Sequence, residues 1–146
     1  MLAAPTALQA AEEIDISGEY FCRGSNPGGG SYSGKVAITK TDQTYKIQWK
    51  IGTGQGHVGI GIREDNVLSV CFVGSGGAEG IAMVGVVSYK IQKDKDGPRL
   101  VGRWAAFGGQ KTQTETLSRS APPPEKGTQR PQQVTSLSRP ALAETI

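Results

Sequence analysis

An eight-stranded antiparallel up-and-down β-barrel is the fold this sequence predicts, and three observations point to it. From Ser17 to about Ser118 the chain is a train of eight short β-patterned segments, each ended by Gly, Asp or Asn. No stretch carries the 3.6-residue repeat of an amphipathic helix. The connections are too short for crossovers, so neighbouring strands must be antiparallel. Eight such strands in series suit a meander that closes on itself and so removes its unpaired edges.

The strands are expected at 17–23, 32–40, 44–51, 57–63, 67–73, 81–92, 99–106 and 111–118. Thr41-Asp42-Gln43 and Glu64-Asp65-Asn66 read as hairpin turns, and Asp94-Lys-Asp96-Gly97-Pro98 is the clearest turn of the chain. Period-2 alternation assigns the faces. Lys46, Gln48 and Lys50 point outward, which puts Tyr45, Ile47, Trp49 and Ile51 inside. By the same parity Met83, Gly85, Val87, Tyr89 and Ile91 are interior, as are Leu100, Gly102 and Trp104. Tyr20 and Cys22 share a face, read as the inner one. Val58, Ile60 and Ile62 share a face opposite Gly59, Gly61 and Arg63, while the fifth strand is apolar on both sides and stays ambiguous.

Composition divides the 146 residues into three regions. Residues 1–16 read as a leader remnant or flexible arm and 17–118 as the barrel. Residues 119–146 read as a disordered tail rich in Pro, Ser, Thr and Gln, with no aliphatic cluster to offset its ordering entropy. Met1 to Ala11 is Ala-rich and uncharged. It resembles the end of a secretory signal whose basic and apolar parts lie upstream, which predicts a secreted or periplasmic protein. The net charge is +3, with the basic residues scattered along the strands, so a solvated outer face and no nucleic-acid partner are expected. No stretch is long enough for a membrane-spanning helix. Cys22 and Cys71 either bridge, worth about 4 kcal/mol for a loop of this length, or remain as half-buried thiols.

Motifs that would signal chemistry fail on their context. Gly29 to Lys35 matches the phosphate-loop spacing, but Val36 follows where the magnesium-binding hydroxyl belongs, and a strand follows where a helix is needed. Gly54 to Gly59 matches the dinucleotide fingerprint without its βαβ unit. His57 is the single histidine and is expected on a surface loop, with no nucleophile elbow beside it. No catalytic set, metal site or cofactor is therefore expected. The chemistry-bearing group that remains is aromatic: Tyr20, Tyr45, Trp49, Tyr89 and Trp104, all expected in the barrel interior.

Gly18-Glu-Tyr20 near the start resembles the Gly-x-Trp/Tyr opening of calycin barrels, the group of lipocalins and avidins. The series Tyr32-Ser-Gly34, Tyr45-x-x-x-Trp49, Gly59-Ile-Gly61, Gly85-Val-Val-Ser-Tyr89, Leu100-x-Gly102-Arg-Trp104 and Thr114-Glu-Thr-Leu117 is similar to small exported bacterial domains of the type labelled fibronectin-binding protein. The resemblance implies a calycin-like barrel and a protein or extracellular-matrix partner. The chain has Tyr20 where lipocalins have Trp and lacks a recognisable set of biotin-contacting residues, so neither retinoid nor biotin binding carries over. The expected function is a non-enzymatic exported binding module that meets its partner through the Gly-rich rim loops 24–30, 52–56 and 74–80. The alternative is a carrier holding a small apolar ligand among the five interior aromatics.

Overall fold

A computed structural model of the chain describes residues 13–76 and 81–123. Eight strands form one closed barrel in sequence order, each antiparallel to the next: β1 (Gly18–Ser25), β2 (Ser31–Thr41), β3 (Thr44–Ile51), β4 (Gln55–Glu64), β5 (Val67–Gly76), β6 (Ile81–Asp94), β7 (Gly97–Ala106) and β8 (Gln113–Ser118). β8 closes on β1 through the register Phe21↔Ser118 to Gly24↔Glu115. Each expected strand is present, most with ends one to three residues longer. The expected turns hold the tight reversals, where Asp42, Asp65 and Gly97 all have positive φ. The proposed leader (1–12), part of the third rim loop (77–80) and the tail from 124 onward lie outside the described residues.

Alternation was a sound guide to the faces. Tyr20, Cys22, Val36, Ile38, Tyr45, Ile47, Trp49, Val87, Tyr89, Ile91, Leu100, Trp104 and Leu117 are buried in the barrel. The ambiguous strand β5 turns Leu68, Val70 and Phe72 inward and leaves Cys71 and Val73 outside. On β4 the glycines face in, and Val58, Ile60 and Ile62 face solvent.

The inward glycines have a steric reason. Directly opposite pairs across the ladders set an aromatic ring against a glycine: Tyr32↔Gly24, His57↔Gly74, Phe72↔Gly85 and Tyr89↔Gly102. Each ring lies over its glycine's backbone. A Cβ on Gly102 would meet Tyr89 Cδ1 at 2.6 Å and the Ser88 carbonyl oxygen at 2.8 Å, a backbone atom that cannot swing away. An eight-stranded barrel has little interior width, so a large side chain on one strand requires none on its neighbour.

One end of the barrel is closed by the chain before β1. Ile16 is fully buried and Ile14 packs against the core, so the folded unit reaches beyond the expected 17–118 boundary. Tyr20 Oη donates to the Ile16 carbonyl at 2.7 Å. Arg63, expected only to share the face of Gly59 and Gly61, lies beneath this plug: its Nε is 3.1 Å from Glu13 and its Nη1 donates to the Ile14 carbonyl. Arg119 stacks on the Tyr20 ring at 4.3 Å and donates to the carbonyls of Ser17 and Glu19. The Gly18-x-Tyr20 pair now has a cause. Gly18 has φ +125°, and any Cβ there would collide with the Arg119 guanidinium. The opposite end, away from this plug, carries the connections after β1, β3, β5 and β7.

Gly18→Ala and Gly102→Ala should each lower the unfolding free energy by about 2 kcal/mol through strain and overpacking. Gly28→Ala, in open space, should be nearly neutral. Urea unfolding of the three variants checks this, and equal effects at all three sites would contradict the packing described.

Candidate functional site in the barrel interior

The interior polar centre is Glu115, which the sequence reading left unassigned. β8 places Gln113, Glu115 and Leu117 on one face, and Leu117 is fully buried, so Glu115 is carried inside with it. Its carboxylate is 6% exposed and accepts from three side chains on three other strands. Tyr32 Oη donates to Oε2 at 2.6 Å, Trp49 Nε1 donates to Oε1 at 3.0 Å, and Tyr89 Oη also donates to Oε1. Charge-assisted bonds of this kind are the strong ones, and their number is what makes a buried carboxylate tolerable. Burial, and then the neighbouring Glu115 charge, push the Tyr32 and Tyr89 hydroxyls and the Cys22 thiol well above their ordinary pKa values. All three groups therefore stay protonated at neutral pH, and the two hydroxyls remain donors.

Toward the open end this centre is walled by rings. Trp49 and Phe72 have centroids 5.8 Å apart, Phe72 and Trp104 6.2 Å, and Tyr32 and Trp104 6.2 Å. His57 stacks on Phe72 at 6.1 Å. Two polar atoms here are buried without a well-formed hydrogen bond: Trp104 Nε1, whose side-chain neighbour is the Tyr32 hydroxyl, and His57 Nδ1, which lies against Gly74. Buried polar groups are nearly always satisfied, so each such orphan needs a cause. An indole N–H only donates, so Trp104 asks specifically for an acceptor.

The five aromatics singled out from the sequence are all buried inside, but they do not form one site. Tyr20 belongs to the closed-end plug, and Tyr45 sits on the same side, opposite Gly61 and Lys40. Trp49, Tyr89 and Trp104 share the centre and the open end with Tyr32, Phe72, His57 and Glu115. His57 departs from the surface-loop expectation. It lies on β4 with its ring packed against Gly74 and Phe72, because parity turns it inward with Gly59 and Gly61. Cys22 and Cys71 are both free. Cys22 points into the barrel from β1 and Cys71 out of it from β5, so no bridge joins them.

A concavity of about 570 Å³ lies along β1 and β8. Arg23 and Arg99 face Asp94 and Asp96 there, with Pro122 and Pro123 at its border. Its charges are mixed, and it has neither the orphaned polar atoms nor the ring walls of the interior. Among the described residues no group of three or more His, Cys, Asp or Glu is placed to hold a metal ion, and no helix is long and apolar enough to cross a membrane.

Glu115→Ala should lower the unfolding free energy by about 3 kcal/mol, since three buried donors lose their acceptor at once. The pH dependence has a definite sign. The unfolded chain ionises its thiol and phenols near their ordinary values of 9.0 and 10.0, while the folded state holds Cys22, Tyr32 and Tyr89 neutral well beyond them. Stability is therefore full below pH 9.0 and falls as pH rises past 10.0. Tyr32→Phe should flatten that alkaline fall in urea titrations, and an unchanged slope would place the phenol away from the carboxylate.

No protein-family model matches this chain, and no curated protein matches it significantly.

Proposed function

We propose that this protein is an exported, non-enzymatic binding module that holds a small ligand inside the open end of its barrel. The observation that carries this is the Trp104 indole, buried in a wall of aromatic rings with its N–H near the Tyr32 hydroxyl but in no well-formed hydrogen bond. A ligand that fits has a flat, largely apolar body to lie among Trp49, Phe72, Trp104 and Tyr32, and one hydrogen-bond acceptor for Trp104 Nε1. Glu115 is held by its three donors and acts as the fixed anchor that orients Tyr32 and Trp49 toward this space.

The partner-capture expectation shares the same end of the molecule. The loop 26–30 is exposed, with Gly29 and Gly30 at positive φ, and it frames the mouth together with residues 52–54. These loops serve the proposal as the entrance, and a protein or matrix partner would bind over it.

Tryptophan fluorescence on titration with flat aromatic compounds bearing a carbonyl should show saturable quenching. Trp104→Phe keeps the ring wall and removes the donor, so it should weaken binding about tenfold, the value of one lost hydrogen bond. If no such compound quenches, or if Trp104→Phe binds as tightly as the parent, the interior-ligand proposal fails. Replacing loop 26–30 with a two-residue turn separates the readings: interior binding survives it, whereas capture of a protein partner does not.

A further inference from the structure

We propose that the outer face of β4, β5 and β6 is the interface at which two copies of this chain pack as a symmetric dimer, a property separate from the interior site. The face is a regular grid. Across the three strands, Val58, Val73 and Val84 form one row, and Ile60, Cys71 and Val86 form the next. The six aliphatic side chains of this surface, these five and Ile62, are each 41% to 60% exposed. The third row pairs Ile62 with the small polar Ser69 and Ser88. No outward position in these rows carries a charge, whereas the neighbouring strand β3 presents Lys46, Gln48 and Lys50.

The size of the face says what fits it. It leaves on the order of 500 Å² of contiguous apolar surface, the upper end of what a monomer tolerates. A second copy of the same face, with both rims, brings the total to about 1,200 Å², where specific interfaces begin. β-branched surfaces of two sheets pack on each other with their strands roughly aligned.

Symmetry and charge favour a copy of the chain over an unrelated partner. In an isologous pair whose two-fold axis crosses the strands at the Ile60–Cys71–Val86 row, β5 lies antiparallel on β5, and the two Cys71 residues meet at the axis. The same operation exchanges the two ends of β4. Lys50 is level with Gly56 at one end, and Glu64 ends the outward row at the other, so the axis brings Lys50 of each copy beside Glu64 of the other. The same axis sets the two Lys46 residues, level with Ile60, opposite each other, with a Lys50–Glu64 pair on either side of them.

Sedimentation of the full chain should give a dimer. Val86→Lys, an outward substitution that leaves the barrel's far-ultraviolet dichroism unchanged, should sediment as a monomer. Cys71 should resist maleimide in the dimer and label readily in Val86→Lys, and Cys71→Ser should abolish that labelling, because Cys22 is buried. Glu64→Lys should weaken the dimer several-fold at low salt, and adding Lys50→Glu should restore it. A wild-type monomer at the highest soluble concentration, or a dimer that survives Val86→Lys, overturns the proposal. A wild-type monomer that co-sediments with phosphatidylcholine vesicles would assign the face to lipid instead.

Discussion

The narrow interior of a closed eight-stranded barrel is the constraint from which the rest follows. Closure removes every sheet edge, but it leaves a lumen that inward side chains must share across strands a few ångströms apart. This chain meets the constraint by pairing ring with glycine at directly opposed positions, from Tyr32 and Gly24 to Tyr89 and Gly102. The described glycines thus include two kinds. Some terminate strands, and others exist because a ring occupies the place where their side chain would be.

Glu115 acts on the same constraint from the centre. β8 is the shortest strand, and it must close the barrel between β7 and β1. Through one carboxylate it is joined to β2, β3 and β6 by hydrogen bonds that run across the lumen instead of along the ladder. A hydrophobic residue at 115 would satisfy the core, but it would leave three donors buried and unpaired. The carboxylate and its donors are therefore a set, and replacing one member alone is costly. The set also fixes the ring positions that form the open-end wall, which couples the stability of the closure to the shape of the candidate site.

The architecture was legible from residues 17–118 because alternation and turn chemistry agreed along the chain: Lys46, Gln48 and Lys50 marked outside, and Asp42, Asp65 and Gly97 marked the reversals. The candidate site was legible only in part. Trp49, Tyr89 and Trp104 were identified as interior aromatics by parity. Glu115 was missed although parity with Leu117 placed it inside, because a carboxylate is ordinarily read as a solvent-facing residue, and only its three donors, scattered over the sequence, reverse that expectation. His57 was misplaced for a related reason: the surrounding glycines read as a loop, when Gly56, Gly59 and Gly61 belong to strand β4 and parity turns His57 inward with Gly59 and Gly61. The closed end was illegible because Arg119 and Tyr20 are joined by closure of the barrel, not by any local spacing.

β4 shows how the inside of the barrel determines its outside. With Gly59 and Gly61 yielding lumen space to Trp49, Ile47 and Val70, the strand has almost no aliphatic side chain to contribute to the core. Its aliphatic residues, Val58, Ile60 and Ile62, occupy the other face, where β-branched side chains still favour an extended backbone but bury little. Strands β5 and β6 continue that face with Val73, Val84 and Val86 while filling the core with their inner residues. An apolar surface that lies back to back with a glycine-lined wall is thus not a surplus of hydrophobic residues. On β4 the aliphatic side chains lie outside only, where a covering surface would complete their contacts. Under the two proposals, an interior ligand and a covered outer face would lie on opposite sides of the same thin wall, and ordering β4 and β5 from without would hold His57 and Phe72, which project from these strands, in place within the barrel.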